Sequence, residues 1–159
     1  MPTRFIKGDI LDATDTRVGK RAVVFGADCA GRMDAGIAVA IARHWPAFAE
    51  AFSEHCTTTR MQLGDVFSFK QGEVVVYAVG IQRDGGKPKL AALERGLAKM
   101  ALLAEADEVS VVLLPRIGSG KNGLDWDRVK RILSAIGKNA PMELLVYEQF
   151  VRTPASATD

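Results

Sequence analysis

Two glycine-rich segments contain the residues whose types and spacing best suit ligand chemistry. Residues 32–38 follow the apolar run 21–27, and residues 115–123 follow the run 109–114. Glycine lets the backbone turn tightly and approach a ligand, and a glycine turn that opens a helix directs unpaired N–H groups at an anion. Two such turns predict a nucleotide-like ligand whose diphosphate is held from both sides.

Neither segment matches a common phosphate-binding motif. A P-loop would need glycine where Pro115 stands and a hydroxyl residue where Asn122 stands. No Gly-x-Gly-x-x-Gly pattern follows the first apolar run. The sequence therefore disfavours a nucleoside triphosphatase and a dinucleotide-binding fold.

Alternating strands and helices must position these turns. Apolar runs predict strands over residues 4–6, 21–27, 66–69, 74–81, 109–114 and 143–147. The first strand ends at residues 7–11, for which no helix is predicted. Helical periodicity predicts helices over residues 36–53, broken or kinked at Pro46, over 88–104 and over 124–136, ended by Gly137. This order predicts an α/β fold, a three-layer α/β/α sandwich around a mixed, mostly parallel sheet, with both turns at the carboxyl ends of strands.

Length and composition indicate a soluble globular chain. The 159 residues suit one domain, placed at residues 1–150, with a disordered tail at 151–159. The hydrophobic share is 48%, the charged share is 25% and the net charge is +2. No apolar run approaches the ~18 residues of a membrane span, and no signal-peptide pattern is present. We therefore expect a cytoplasmic monomer without membrane partners.

The few cysteines and histidines do not predict metal chemistry. Cys29, Cys56, His44 and His55 have no metal-ligand spacing, and two cysteines make no disulfide framework. Both cysteines are expected as small buried hydrophobic residues, and both histidines as surface groups. No metal and no cofactor are expected.

Several short motifs, taken in order, resemble those of macrodomains. They are Lys-Gly-Asp-Ile at 7–10, Met-Asp-Ala-Gly-Ile-Ala at 33–38, Lys-Pro at 87–88 and Leu-Pro-Arg-Ile-Gly-Ser-Gly at 114–120. The set is most similar to the terminal ADP-ribose protein glycohydrolases and the related antitoxins that remove ADP-ribose from DNA. It covers residues 4–147, nearly the whole chain. The resemblance implies that ADP-ribose occupies a cleft at the top of the sheet.

The resemblance also implies particular ligand-binding residues. Asp9 would accept a hydrogen bond from the adenine amino group, and Ile10 would offer its backbone N–H. The first glycine segment would wrap the diphosphate and the distal ribose with Met33, Asp34, Ala35, Gly36, Ile37 and Ala38. The second would hold the diphosphate from the other side with Ile117, Gly118, Ser119, Gly120, Lys121 and Asn122. Turn N–H groups suit phosphate oxygens, which is consistent with these roles.

The same segments have structural interpretations. Asp9 could cap a turn, Gly36 could serve helix–strand packing, and the second glycine segment could be a plain strand-to-helix loop. We interpret Arg116 as a salt-bridge partner in preference to a phosphate contact, and Trp45 and Trp126 as core or rim residues.

The catalytic pair that the resemblance implies for hydrolytic relatives is missing. Their lysine, six residues before the lysine of the Lys-Pro pair, attacks the anomeric carbon of the distal ribose, and that position is Ile81 here. Their partner aspartate corresponds to Asn122, which cannot act as a carboxylate base. Gln82 is not basic and Arg83 stays protonated, so neither replaces the lysine.

Two carboxylates near the first glycine segment remain candidate catalytic residues. Asp34 stands where the family pattern has glycine, and Asp28 lies upstream. Either could activate water as a general base. Asp34 could instead cap the next helix or repel the diphosphate. Asp84 and Asp125 are further carboxylates within reach, and Asp125 is predicted to cap a helix.

The preferred function is recognition of free or conjugated ADP-ribose. The alternative is a hydrolase that removes ADP-ribose from protein or nucleic acid, or an ADP-ribose 1″-phosphate phosphatase, by a route without the lysine–aspartate pair. A third possibility, nucleic-acid binding through a basic face, is disfavoured by the net charge of +2. Nucleic acid is expected only as a modified substrate.

Overall fold

The computed structural model describes residues 1–152 and contains six strands and five helices in that range. The strands are β1 (Thr3–Gly8), β2 (Arg21–Asp28), β3 (Val66–Gln71), β4 (Val74–Gln82), β5 (Val111–Leu114) and β6 (Glu143–Phe150). The helices are α1 (Ile10–Thr16), α2 (Ile37–His44), α3 (Pro46–Thr59), α4 (Leu90–Ala106) and α5 (Trp126–Asn139). Most of the predicted tail, residues 153–159, lies outside the described residues.

The strands form one mixed sheet in the order β1-β6-β5-β2-β4-β3. All neighbours pair in parallel except β3, which pairs antiparallel with β4. One face of the sheet packs on residues of α4 and α5, such as Leu97 and Leu133, and the other on residues of α2 and α3, such as Ile41 and Phe52. The predicted three-layer sandwich is confirmed, and the five parallel strands end at one edge of the sheet. No helix in residues 1–152 has the length and apolarity that a bilayer crossing would require.

The break that the sequence allows at Pro46 is confirmed, whereas a helix directly after β1 was not predicted. The helix predicted over residues 36–53 is two helices, because the residue before proline avoids the helical region and Trp45 has φ −127° and ψ 75°. Pro46 then takes the first position of α3, where its missing N–H costs nothing. The residues after β1 also form a helix, since Asp9 caps α1, which is too short to show helical periodicity.

Gly137 does not end the last helix as predicted. The helix continues through Gly137 to Asn139, and Gly137 is buried. A Cβ at this position would collide with Thr3. Glycine is therefore present because β1 and α5 approach closely, and the helix ends before Pro141, two residues beyond Asn139.

A polar network ties the end of α4 to the sheet. The hydroxyl of the buried Tyr77 donates to Asp107 Oδ2 at 2.6 Å, and Lys70 Nζ lies 3.0 Å from Asp107 Oδ1. Partial burial alone would raise the pKa of Asp107, but the hydrogen bonds from Tyr77 and Lys70 outweigh it and lower that pKa below its usual value. The ionised carboxylate is therefore the form that the fold stabilises.

Tyr77→Phe is expected to lower the free energy of unfolding by about 1–2 kcal/mol at neutral pH, because it removes a hydrogen bond to a charged acceptor. The folded-state pKa of Asp107 is depressed, so its stabilisation is complete above the unfolded pKa of about 3.9 and is lost as pH falls through the folded value. Urea unfolding at neutral pH and near pH 3 should show the gap between the two proteins closing. An equal gap at both pH values would contradict this account.

Candidate functional site

A cleft of about 440 Å³ opens where the parallel strands end. One wall is the segment that enters α2, and the opposite wall is the segment between β5 and α5. The far end is formed by the ends of β1 and β6, including Gly8, Tyr147 and Phe150. The cleft therefore lies at the edge of the sheet where the sequence places both glycine-rich turns.

The first wall presents a helix N-terminus to the cleft. Ala35, Gly36, Ile37 and Ala38 all line it. Gly36 is the N-cap of α2, has φ 60° and ψ −144°, and provides no side chain to satisfy the first N–H groups. This backbone geometry is restricted almost entirely to glycine. The N-terminus of α2 is thus open to an anionic ligand.

The second wall is a compact loop held by its own backbone. Ile117, Gly118, Gly120 and Lys121 line the cleft. Gly118 has φ 70°, and its carbonyl accepts from the N–H of Leu124 at 2.7 Å. A second backbone bond, from Gly123 N to the Gly120 carbonyl at 2.8 Å, also lies within this loop.

The structure brings most of the predicted ligand-binding residues to this cleft, but five of them do not line it. Ile10 lines it beside Gly8. The residues that lie outside the lining are Asp9, Met33, Asp34, Ser119 and Asn122. Their roles in ligand binding remain predictions.

Asp9 has a structural role in addition to its predicted one. Its Oδ1 accepts from the N–H of Asp12 at 3.3 Å and caps α1. This orientation is set by the first turn of α1, which also places Ile10 against the cleft.

The two candidate general bases are poorly placed for that role. Asp28 is only 6% exposed. Its Oδ1 accepts from the N–H of Ala30 and its Oδ2 from the N–H of Gly85, both at 2.8 Å. Asp34 is exposed outside the lining of the cleft and does not cap α2, whose N-cap is Gly36. Among the carboxylates considered, Asp125 caps α5 as predicted.

The cleft floor is apolar at the position where the resemblance implies a lysine. Ile81 lines the cleft but is only 3% exposed. Its Cδ1 lies 2.5 Å from the position that a Cβ at residue 26 would occupy, and Ile117 Cγ1 lies 3.3 Å from that position. Ile81 and Ile117 therefore fill the space above Gly26 with hydrocarbon.

The buried cysteines supply no thiolate beside this floor. Both Cys29 and Cys56 are buried, as predicted. Burial raises the pKa of Cys29, and burial raises that of Cys56 to about 11. Both therefore stay protonated at neutral pH. Within residues 1–152, no group of three or more His, Cys, Asp or Glu side chains is arranged to hold a metal ion.

Sequence reasoning missed Glu148 and Phe150 in the cleft, and it preferred a salt bridge to a phosphate contact for Arg116. Arg116 was interpreted as a salt-bridge partner, but its guanidinium lies 5.1 Å from the centroid of the Trp126 ring and lines the cleft. Glu148 lines it too and accepts from Trp126 Nε1 and Lys130 Nζ, each at 2.9 Å. Phe150 stands at the far end with 64% of its surface exposed.

One sequence feature could have indicated Phe150. It is the apolar pair of residues 150 and 151, which lies just beyond the predicted end of the strand over residues 143–147. The sequence prediction ended that strand at Tyr147, because the polar residues Glu148 and Gln149 interrupt the apolar run. The structure extends the strand to Phe150.

Comparison with known proteins gives a consistent family assignment. The model of the Macro domain family matches residues 24–133. The DNA ADP-ribosyl glycohydrolase of Thermus aquaticus is 26% identical over 151 residues, which are 91% of this chain and 41% of that protein. The chain thus spans about two fifths of that curated relative. The human ADP-ribose glycohydrolase OARD1 is 26% identical over 144 residues, which cover 90% of this chain and 89% of that protein.

The solved structures agree on the fold. The macrodomain of Thermus aquaticus DarG superposes with a TM-score of 0.82 at 23% identity. The match covers 92% of this chain and 97% of that one.

Proposed function

The chain belongs to the Macro domain family, and we propose on that basis that its cleft binds ADP-ribose, free or attached to a macromolecule, without cleaving it. The observation that carries this proposal is the pair of facing backbone walls, one around Gly36 and one around Gly118, which suit a diphosphate between them. The two relatives named above are glycohydrolases of ADP-ribosyl groups, which supports the choice of ligand.

The diphosphate fits the electrostatics of the cleft. Among the described residues, Lys121 and Arg116 are the two cationic side chains that line it. The carboxylate that lines it, Glu148, is hydrogen-bonded to Trp126 and ion-paired with Lys130. A bound diphosphate would therefore meet open N–H groups and cations, and the charge of Glu148 is already compensated.

The adenine would occupy the end of the cleft between β1 and β6. Ile10 and Phe150 line this end, and the exposed ring of Phe150 offers a face on which a base can stack. Asp9 precedes Ile10 and keeps its predicted role as acceptor from the adenine amino group. The distal ribose would then lie toward the wall formed by the segment that enters α2 (the α2 wall) and toward the floor made by Ile81.

The floor argues for binding rather than hydrolysis. A nucleophile or a general base must reach the anomeric carbon of the distal ribose. Within residues 1–152, the side chains that line this part of the cleft are apolar at Ile81 and Ile117 and neutral at Gln82. The candidate base Asp28 has both carboxylate oxygens engaged by backbone N–H groups.

Calorimetric titration with ADP-ribose tests the proposal. We expect dissociation constants in the micromolar range for the wild type and a loss of about tenfold for Asp9→Ala, which removes one charged acceptor from the adenine. AMP and ADP serve as controls for partial ligands and should bind more weakly, since each lacks the distal ribose. Because Asp9 also caps α1, thermal unfolding of the variant must be measured in parallel. Failure of the wild type to bind ADP-ribose would refute the proposed function.

A further inference from the structure

Two loops on the side of the cleft proposed for the distal ribose are joined to each other by an inner and an outer contact. The first loop, residues 29–36, enters α2, and the second, residues 83–89, enters α4. In the inner contact, the carboxylate of Asp28 accepts from Gly85 N and Ala30 N at 2.8 Å each. In the outer contact, Arg32 Nε lies 2.8 Å from Asp84 Oδ1. We call these two contacts the loop clasp.

The inner contact buries the carboxylate of Asp28, which costs free energy unless hydrogen bonds compensate it. Asp28 and Thr14 are the two polar residues that are buried within residues 1–152. The donors here are one N–H from each of the two loops, so the compensation depends on both loops keeping their places. The side chain therefore ties the start of the first loop to the tip of the second.

Both loops contribute lining residues to the cleft beyond the clasp. Ala35 and Gly36 come from the first loop, and Pro88 from the second, while Gln82 ends β4 just before it. A further backbone bond, from Cys29 N to the Gln82 carbonyl at 2.8 Å, joins the strand ends beneath them. The clasp thus fixes the distance between the α2 wall and the side of the cleft formed by Gln82 and Pro88.

We propose that Asp28 is a positioning residue that pre-organises this cleft for the distal ribose and diphosphate, with Arg32 and Asp84 as its outer support. The inference rests on the proposed function for the identity of the ligand. A loop that is already ordered loses less conformational entropy on binding, so the clasp raises affinity without touching the ligand. Asp28 is accordingly assigned to loop positioning rather than to base catalysis.

Asp28→Asn tests the inner contact with little change in shape. The amide can accept one of the two N–H bonds but not both, since its nitrogen is a donor. We expect the affinity for ADP-ribose to fall about tenfold, the scale of one lost hydrogen bond to a charged group. Amide hydrogen exchange of residues 29–36 and 83–89, measured without ligand, should accelerate at both loops together.

Arg32→Gln tests the outer contact in a variant that will fold, because Arg32 and Asp84 are both exposed. It should weaken ADP-ribose binding by a smaller factor, and reversing the pair with Arg32→Asp and Asp84→Arg should restore loop protection. Lys99→Gln is the matched control, since it breaks an exposed ion pair with Asp65 that lies outside both loops.

The exchange, binding and unfolding measurements test the loop clasp and the proposed function separately. Faster exchange in both loops with weaker binding and an unchanged unfolding midpoint supports the clasp. Unchanged exchange in Asp28→Asn overturns it, and so does a loss of affinity explained by global destabilisation. If the wild type binds no ADP-ribose, the proposed function fails, and the exchange of the two loops alone decides whether the clasp exists.

Discussion

Gly36→Ala should weaken ADP-ribose binding by about 10- to 100-fold, the equivalent of about 1–3 kcal/mol of backbone strain. Gly36 has φ 60° and ψ −144°, a conformation that a side chain makes unfavourable. A Cβ at this position would meet nothing within 4 Å, so the chain can relieve the strain by rotating its backbone. That rotation would turn the first N–H groups of α2 away from the diphosphate.

A second glycine provides a matched control for this prediction. Gly72 has φ 63° and equally open surroundings, but it lies in the turn between β3 and β4, outside the cleft. Gly72→Ala should cost comparable stability and leave ADP-ribose binding unchanged. Calorimetry and thermal unfolding on both variants separate the two effects. Wild-type affinity in Gly36→Ala would show that the α2 wall does not hold the diphosphate.

The wild-type protein should leave ADP-ribosyl bonds intact under conditions in which a hydrolytic relative cleaves them. Ile81 and Asn122 replace the lysine and the aspartate that the resemblance implies for catalysis. Ile81 is buried in the floor, and Asn122, at φ 59°, lies outside the lining of the cleft. Neither side chain can act as a nucleophile or as a carboxylate base.

The measurement is release of ADP-ribose from ADP-ribosylated protein and DNA and of phosphate from ADP-ribose 1″-phosphate, at protein concentrations above that of the substrate. The DNA ADP-ribosyl glycohydrolase of Thermus aquaticus is the positive control. Release that disappears in Gly36→Ala would place hydrolysis in this cleft and contradict a binding-only function. Asp34→Ala would then show whether Asp34 is the base, since unchanged turnover would exclude it.

The fold was predictable because its signals are local and strong. Near-continuous apolar runs predicted β2, β4 and β5. The alternation of these runs with segments of helical periodicity predicted the three layers. The break at Pro46 could be predicted because proline restricts the residue before it, Trp45. The end of α5 could not, because Gly137 packs against Thr3, a residue 134 positions earlier in the chain. A contact of that separation is not visible in a local pattern.

The site was predictable where backbone conformation defines it and less so where side chains do. Gly36 and Gly118 line the cleft and both have positive φ, a conformation that glycine adopts at little cost. The direction in which a carboxylate side chain points, by contrast, cannot be predicted from the residue type. Asp28 was a candidate for chemistry by its position in the sequence, and the N–H groups that engage it belong to residues 30 and 85. Only the folded chain brings those donors together.

The apolar floor makes positions 26 and 81 a coupled pair in evolution and in engineering. The side chain of Ile81 takes up the volume that a side chain at 26 would need, since its Cδ1 lies 2.5 Å from the position of a Cβ at residue 26. Substitutions at neighbouring sites of this kind are not additive. A side chain at 26 requires Ile81 either to rotate its terminal methyl group away or to be replaced by a shorter residue. Libraries that seek new activity in this cleft should therefore vary the two positions together, because single-site scans will reject combinations that are viable as doubles.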